Sequence, residues 1–305
     1  EFRRVLFRSS KLVTIFGGSG FVGRYIARRM AKEGWRVRVA VRNPNEALFV
    51  KPYGVVGQVE PVFCNVRDDA SVAAVLNGAD AVVNCVGILE ETGKNTFDAV
   101  QAEAPGRIAR LAAAAGVGSL VQISAIGASA ESESEYARTK AAGEAAVLAA
   151  FPNAVILRPS IIFGSEDGFF NRFASMTRFG PVLPVVGADT KFQPVWVDDV
   201  AQAAVAGTTG KAAAGVYELG GPDAMTFREL MGVMLTVIRR RRLIVNIPFG
   251  IANIIASVAG IGQTLSLGIV KAPVTKDQVI NLRSDNVVSE GAKGFAELGI
   301  EPTDM

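Results

Sequence analysis

Three side chains that can move a proton lie close together in the sequence. Tyr136 and Lys140 are four residues apart in "SEYARTKAAGE", at the predicted start of a helix, so they share one helix face. An ammonium beside a phenol favours the phenolate and lowers the pKa of the tyrosine. Ser124 ends a predicted strand twelve positions earlier, where its hydroxyl would hold a developing oxyanion. These three residues together predict a site that transfers a proton to a substrate. The same three residues could instead bind the ribose of a nucleotide without catalysing a reaction.

A glycine-rich turn lies between the first predicted strand and the first predicted helix. In "FGGSGFVGR", Gly17, Gly20 and Gly23 have the spacing of a dinucleotide-binding loop. We expect Gly17 to allow the tight turn, Gly20 to let a pyrophosphate approach the backbone, and Gly23 to let the helix pack on the strand. Free N–H groups at a helix start bind anions. The predicted loop site therefore also includes Ser19, Phe21 and Val22.

The residue after the second predicted strand bears on the choice of nucleotide. NAD sites usually offer a carboxylate here for the ribose hydroxyls, whereas "VAVRNPN" offers Arg42. A guanidinium pairs well with a 2′-phosphate. The sequence favours NADP(H) over NAD(H), and a solvated surface arginine is the alternative interpretation.

Later strand ends complete the predicted cofactor site. Asn65 and Val66 follow the third strand and would border the adenine. Val86 and Gly87 follow the fourth strand and would line the path from ribose to nicotinamide. Pro159 ends the sixth strand and completes the set.

Strands alternate with helices up to about residue 160, which predicts an α/β fold with a doubly wound parallel sheet, a Rossmann domain. We expect this domain over 11–160, with parts of 190–220 completing its sheet. A smaller C-terminal α/β module would occupy 161–305, interleaved with the core. Residues 1–10 are predicted to be non-native or disordered.

Composition excludes several classes of site. The chain has 305 residues, no histidine and a net charge of +3, so we expect no Ser-His-Asp triad, no histidine-based metal site and no nucleic-acid partner.

In the expected strand order, strands 3 and 4 are separated by strands 2 and 1. Cys64 and Cys85 would then lie roughly 14 Å apart, too far for a disulfide.

A basic cluster precedes an uncharged stretch near the C-terminus. Residues 239–242 are all arginine, and 243–270 carry no charge. Three interpretations remain open: a core element of the module, a segment of 239–271 lying on a membrane surface or a partner, or a membrane-spanning helix. "LIVNIP" is typical of a strand that ends at a proline, followed by a short apolar helix.

The order of the motifs resembles the short-chain dehydrogenase/reductase superfamily, in its extended and atypical members. The match covers about residues 11–230 and includes the glycine loop, Ser124 and the Tyr136–Lys140 pair. The resemblance implies a reductase site in which Tyr136 protonates a carbonyl oxygen. Glu166 and Asp167 follow the sixth strand, where an enzyme could place groups that recognise the substrate. The alternative interpretation is that they cap the next helix.

A second resemblance is more particular and spans nearly the whole chain. The stretches "RPSIIFGSEDGFFN" (158–171) and "GFFNRFASMTRFGPVLPVVGADTKFQPVWVDDVAQA" (168–203) are similar to the nucleotide-binding accessory subunit of respiratory complex I, NADH:ubiquinone oxidoreductase. This resemblance implies a tightly bound NADP(H), docking on the peripheral arm near the membrane, and no required redox step. It implies the cytoplasmic face of the inner membrane in a bacterium, or the matrix face in mitochondria. The alternative is an active NAD(P)H-dependent reductase or epimerase, including one in coenzyme Q biosynthesis.

Overall fold

The computed structural model describes residues 10–178, 180–254 and 275–305. Residues 1–9, most of the segment predicted to be non-native or disordered, lie outside this range, as do residues 255–270 of the uncharged stretch. The strands are, in chain order, β1 (Leu12–Phe16), β2 (Arg36–Val41), β3 (Val59–Phe63), β4 (Ala81–Asn84), β5 (Ser119–Ile123), β6 (Val155–Pro159), β7 (Ile162–Phe163), β8 (Val182–Val186), β9 (Lys191–Phe192), β10 (Val195–Trp196), β11 (Gly215–Leu219), β12 (Met225–Thr226) and β13 (Leu243–Ile247).

Helices follow most of the strands. They are α1 (Phe21–Lys32), α2 (Asp69–Leu76), α3 (Ala104–Ala114), α4 (Glu135–Ala150), α5 (Phe170–Met176), α6 (Val197–Thr208), α7 (Phe227–Val237) and α8 (Lys276–Asn281). A 3₁₀ helix spans Pro44–Tyr53, another Ala296–Leu298, and a π-helix (Asp98–Glu103) leads directly into α3. The chain is also helical over 249–254.

One parallel sheet of seven strands forms the centre of the protein. Its order is β11-β6-β5-β4-β1-β2-β3, which confirms the predicted doubly wound sheet, with strands 3 and 4 separated by 2 and 1. Every residue of β1 is buried, because helices cover both faces of the sheet. Cys64 packs in the core on one face and Cys85 against the core on the other, and both are free thiols.

A smaller cluster packs beside the sheet. Here β8 pairs in parallel with β13, and α5 and α7 contribute a group of aromatic rings around Phe227, which is 2 % exposed. The predicted strand "LIVNIP" is confirmed as β13, and so is the predicted capping box between Thr226 and Glu229 at the start of α7. Among the described residues, no helix is both long and apolar enough to cross a membrane.

The last part of the chain returns to the large sheet. Phe295 and Ile300 are buried in the same core as α1 and α6. Upstream of them, Asn286 accepts hydrogen bonds from the Ser160 hydroxyl, just after β6, and its amide donates to the Ile126 carbonyl just after β5. The segment 275–305 thus crosses the carboxyl ends of the strands, where the site residues lie.

Candidate functional site

The Tyr136–Lys140 pair lies in the first two turns of α4. The Ser134 hydroxyl accepts the Ala137 N–H and so fixes the start of the helix. The Lys140 ammonium lies 5.7 Å from the centre of the Tyr136 ring, and Phe97 packs edge-on against the same ring, 6.0 Å between centres. The two side chains therefore share one face, as their spacing predicts.

Burial dominates the electrostatics of this pair. It raises the pKa of Tyr136 to about 12, and the Asp277 carboxylate adds to that rise. Burial also lowers the pKa of Lys140 to about 8, against the opposing influence of Glu144 and Cys85. The prediction of a lowered tyrosine pKa is wrong in this structure, because burial and the Asp277 carboxylate both raise the pKa of Tyr136.

Ser124 follows β5 and faces a buried carboxylate. Its hydroxyl donates to Glu144 Oε1, on α4 one turn beyond Lys140. Glu144 is held in turn by Arg158, with Nη2 2.6 Å from Oε2 and Nε 2.9 Å from Oε1. Arg158 also approaches Glu218 at 3.6 Å. The Ser124 proton is therefore directed into a buried ion network.

The glycine loop has the geometry that its sequence predicts. Gly17 has φ +73°, a backbone conformation that residues other than glycine rarely adopt. A Cβ on Gly20 would lie 3.1 Å from the Gly17 carbonyl oxygen. A Cβ on Gly23 would lie only 2.4 Å from the same oxygen and 2.7 Å from the Gly18 Cα, so α1 can pack on the loop only with glycine there.

The N-terminus of α1 has no side-chain cap. Its N-cap is Gly20, and no acidic residue lies in its first turn, which includes Phe21, Val22 and Gly23. Ser19 sits in the turn itself, where its carbonyl accepts a hydrogen bond from Arg24. Uncapped N–H groups at the positive end of a helix dipole form an anion site. This arrangement fits a pyrophosphate.

Residues predicted to border the adenosine lie at the same edge of the sheet. Arg42 directly follows β2 and is exposed. Asn65 follows β3; its backbone N–H donates to the Ser71 hydroxyl, and its side chain accepts from the Arg67 N–H. Val66 is half-buried at the neighbouring position. Whether Arg42 meets a phosphate stays a prediction.

The strand ends after β4 and β6 bring the loop and the pair together. The Val86 side chain would be 3.3 Å from a Cβ on Gly17, and the Lys140 Nζ would be 3.3 Å from a Cβ on Gly87. Pro159 is buried, and its carbonyl accepts the Ile126 N–H. Gly17, Val86, Gly87 and Lys140 thus lie next to one another at the carboxyl ends of the strands.

Gln101 is a site residue that the sequence did not single out. It lies in the π-helix, is 2 % exposed, and its amide would be 3.8 Å from a Cβ on Gly87. Neither polar atom of its side chain has a hydrogen-bond partner among the described residues. A buried orphan amide costs about 1–3 kcal/mol, so its position beside Lys140 is suited to a polar ligand.

Glu166 and Asp167 have different roles. Asp167 Oδ1 accepts the Phe170 N–H at 2.6 Å at the start of α5, which agrees with the helix-capping interpretation. Glu166 instead accepts the Tyr25 hydroxyl at 2.9 Å and so ties the loop after β7 to α1. Within the described residues, no group of three histidine, cysteine or acidic side chains could hold a metal ion.

Comparisons with known proteins agree with this architecture. Residues 11–246 match the family model of the RmlD substrate binding domain. Among solved structures, NADPH-dependent quinone oxidoreductase QOR2 from Escherichia coli, complexed with NADPH, superposes with a TM-score of 0.71 over 96 % of both chains, at 18 % identity. At that identity the likeness shows the fold.

Relatives found by sequence identify the family more narrowly than the shared fold does. The chain is 36 % identical to NADH dehydrogenase [ubiquinone] 1 alpha subcomplex subunit 9, mitochondrial, of Arabidopsis thaliana, over 96 % of this chain and 75 % of the relative. It is 33 % identical to the NADH-ubiquinone oxidoreductase 40 kDa subunit of Neurospora crassa, over 96 % and 76 %. A ceramide reductase of Caulobacter vibrioides is 32 % identical over 64 % of this chain and 60 % of the relative. The chain therefore belongs to the extended short-chain dehydrogenase/reductase family of the RmlD type, together with the subunit 9 and 40 kDa proteins of NADH dehydrogenase.

Proposed function

We propose that this protein is an accessory subunit of respiratory complex I that holds NADP(H) and supports assembly or stability without turnover of its own. Similarity along almost the whole chain to subunits named for that complex supports the association. The observation that carries the absence of turnover is the buried bond from the Ser124 hydroxyl to Glu144.

The grouping of these residues at the carboxyl ends of the strands supports a dinucleotide site. The uncapped start of α1 would bind the pyrophosphate, and Lys140 would donate to the nicotinamide ribose. Gln101, with its orphan amide, would supply a donor and an acceptor at the same end. When bound, the nucleotide supplies hydride chemistry, and the chain's own residues supply binding and orientation.

Two features of the site oppose proton transfer. Burial raises the pKa of Tyr136 to about 12, so its phenol is a weaker general acid than an ordinary tyrosine. While the Ser124 hydroxyl donates its hydrogen bond to the Glu144 carboxylate, it has no second proton with which to hold a substrate oxyanion. The same residues can still bind a nucleotide, since binding needs position and charge but no proton transfer.

Arg42 favours a nucleotide with a 2′-phosphate. It is exposed at the end of β2 and would form charge-assisted hydrogen bonds to that phosphate. Replacing Arg42 by alanine should weaken NADPH binding about tenfold and leave NADH binding nearly unchanged. Equal losses for both nucleotides, measured by calorimetry, would place the 2′-phosphate elsewhere.

The protein would dock on the peripheral arm, at the cytoplasmic face of the inner membrane in a bacterium or the matrix face in mitochondria. Exposed apolar side chains flank the arginine cluster in the sequence, with Val237 74 % and Leu243 66 % exposed, and Arg239 and Arg241 are exposed between them in the chain. Arginines next to apolar surface suit the headgroup region of an anionic membrane. Flotation with vesicles of anionic or zwitterionic lipid would test this contact, and equal recovery with both would argue against it.

The proposed retention of nucleotide can be tested on purified protein. NADP(H) should co-purify at about one equivalent, identified by mass spectrometry after denaturation, and should exchange slowly with added nucleotide. A panel of carbonyl substrates should give no oxidation of NADPH above that of the Tyr136→Phe variant. Protein that carries no nucleotide and binds none on titration would refute the proposal.

An active reductase is the second candidate, and the bacterial ceramide reductase is the observation that favours it. On that alternative, Tyr136→Phe abolishes NADPH oxidation while the nucleotide stays bound. Oxidation of NADPH by the wild-type protein with any carbonyl in the panel, lost in Tyr136→Phe, would replace the accessory role with this one.

A further inference from the structure

A carboxylate from the C-terminal segment reaches the start of the helix that carries Tyr136 and Lys140. Asp277, in the first turn of α8, accepts the Glu135 N–H at 2.7 Å and the Ser134 hydroxyl at 2.8 Å. Its second oxygen also accepts the Tyr136 N–H at 3.4 Å. We propose that Asp277 is a positioning residue that locks the site helix, so that retention of the nucleotide depends on the seating of α8.

The other face of α8 packs into a small apolar cluster, separate from the one around Phe227. Val279 is fully buried there, against Val186 and Ala252. The carbonyl of Leu282, at the end of α8, accepts the Thr190 hydroxyl at 2.6 Å. A displacement of this cluster therefore acts on Asp277 directly, because a six-residue helix moves as a unit.

The bonds to α4 combine capping with charge. The first N–H groups of a helix have no partner inside the helix, and a carboxylate there also interacts favourably with the helix dipole. Asp277 satisfies two backbone donors and the hydroxyl of the N-cap residue, Ser134. Loss of this carboxylate would free the first turn of α4, on which the position of Tyr136 depends.

The charge of Asp277 also affects the pKa of the Tyr136 phenol. Charged groups around the first turn include Lys140 on the ring face, Glu135 on α4 itself, Asp98 from the π-helix and Glu91 from the preceding loop. Asp277 raises the pKa of Tyr136, and it contributes to the raised pKa of Glu135. Removal of the Asp277 charge should therefore lower the pKa of Tyr136, an effect that a purely structural prop would not produce.

The inference rests on the proposed nucleotide-holding role. The test therefore combines one measurement with nucleotide, the dissociation of NADPH, and two without it, amide exchange and the titration of Tyr136. In Asp277→Ala, NADPH should dissociate about fivefold faster or more, as for the loss of a strong helix cap. Amide hydrogen exchange over residues 134–140 should accelerate in the same protein measured without added nucleotide. In Asp277→Asn, which keeps an acceptor oxygen, spectroscopic titration of Tyr136 should give a lower pKa, with Tyr136→Phe identifying its signal.

Asp285→Asn is the matched control. Asp285 lies in the same segment and accepts a backbone N–H, that of Lys191, but it contacts β9 instead of α4. It should change none of the three readouts. Unchanged exchange over 134–140 and an unchanged Tyr136 pKa in both Asp277 variants would overturn the inference, whatever the nucleotide result. Failure of wild-type protein to bind NADPH would refute the proposed function, and the exchange and titration would still decide the role of Asp277.

Discussion

Two helices begin at the carboxyl edge of the sheet, and their N-termini are treated in opposite ways. The start of α1 follows Gly20 and has neither a side-chain cap nor an acidic residue in its first turn. The start of α4 has the Ser134 cap, Glu135 in its first turn and the carboxylate of Asp277. The positive end of the helix dipole is thus open to an external anion in α1, whereas in α4 it is filled by carboxylates of the protein itself. The open end suits ligand binding, and the filled end fixes the residues that would orient the ligand.

The largest expected effect tests the open end. Gly23→Ala should abolish nucleotide binding and lower the free energy of unfolding by about 3 kcal/mol, because the new Cβ would collide with the Gly17 carbonyl and the Gly18 Cα. Calorimetry with NADPH and urea unfolding measure the two effects. Gly232→Ala in α7 is the control, since nothing beyond the adjoining residues and backbone of its own helix lies within 4 Å of its added Cβ. Wild-type binding by Gly23→Ala would mean that α1 does not form the phosphate site.

The next effect concerns the pH dependence of stability at the filled end. The pKa of Lys140 is about 8 in the folded protein, against an ordinary value of 10.5, so the unfolded chain binds more protons between those pH values. Stability contributed by the neutral amine is therefore absent below about pH 8 and is gained as the pH rises toward 10.5. Lys140→Met should remove this rise, which amounts to roughly 2–3 kcal/mol, as measured by urea unfolding between pH 7 and 10.

Lys32→Met is the matched substitution for this measurement, because Lys32 is exposed at the end of α1. It should keep the wild-type pH profile. Parallel profiles for the wild type and Lys140→Met would show that Lys140 is hydrated and that its face of α4 is more open than the structure describes.

The smallest effect separates capping from ligand positioning. Ser134→Ala should lower the free energy of unfolding by about 1 kcal/mol and also speed the release of NADPH, because Ser134 caps the site helix. Thr226→Ala removes an equivalent cap from α7, a helix that carries none of the predicted site residues. It should cost about the same stability and leave nucleotide release unchanged. Equal release rates in the two variants would show that the cap on α4 serves stability alone.

Local patterns were enough to predict the sheet and the open end. Strand order follows from alternating strands and helices with right-handed crossovers, and the role of Gly17 follows from a turn that requires positive φ. The capping box of Thr226 and Glu229 also depends only on residues three positions apart. Each of these features is set by neighbours in the chain, so a single sequence contains the necessary information.

The features of the site that could not be predicted from the sequence depend on contacts between residues far apart in the chain. Asp277 lies 141 residues from Tyr136, and no local pattern links them. In the sequence, Glu144 is one polar residue among many on a predicted helix, although its carboxylate accepts the hydrogen bond of the Ser124 hydroxyl. The pKa of Tyr136 depends on burial by the whole fold, which is why the spacing of the tyrosine and the lysine gave the wrong direction. Gln101 left a weak signal, a polar residue among apolar ones in a helical segment, which periodicity alone could have marked.

The most direct test of the accessory role is a native gel of gently solubilised membranes from the source organism, probed for this protein and stained for NADH dehydrogenase activity. We expect the protein to migrate with the active band, and a Tyr136→Phe replacement in the organism to leave both its position and the activity of that band unchanged. Migration of the wild-type protein as a small separate species, away from all NADH dehydrogenase activity, would contradict the proposal that it is a subunit of complex I.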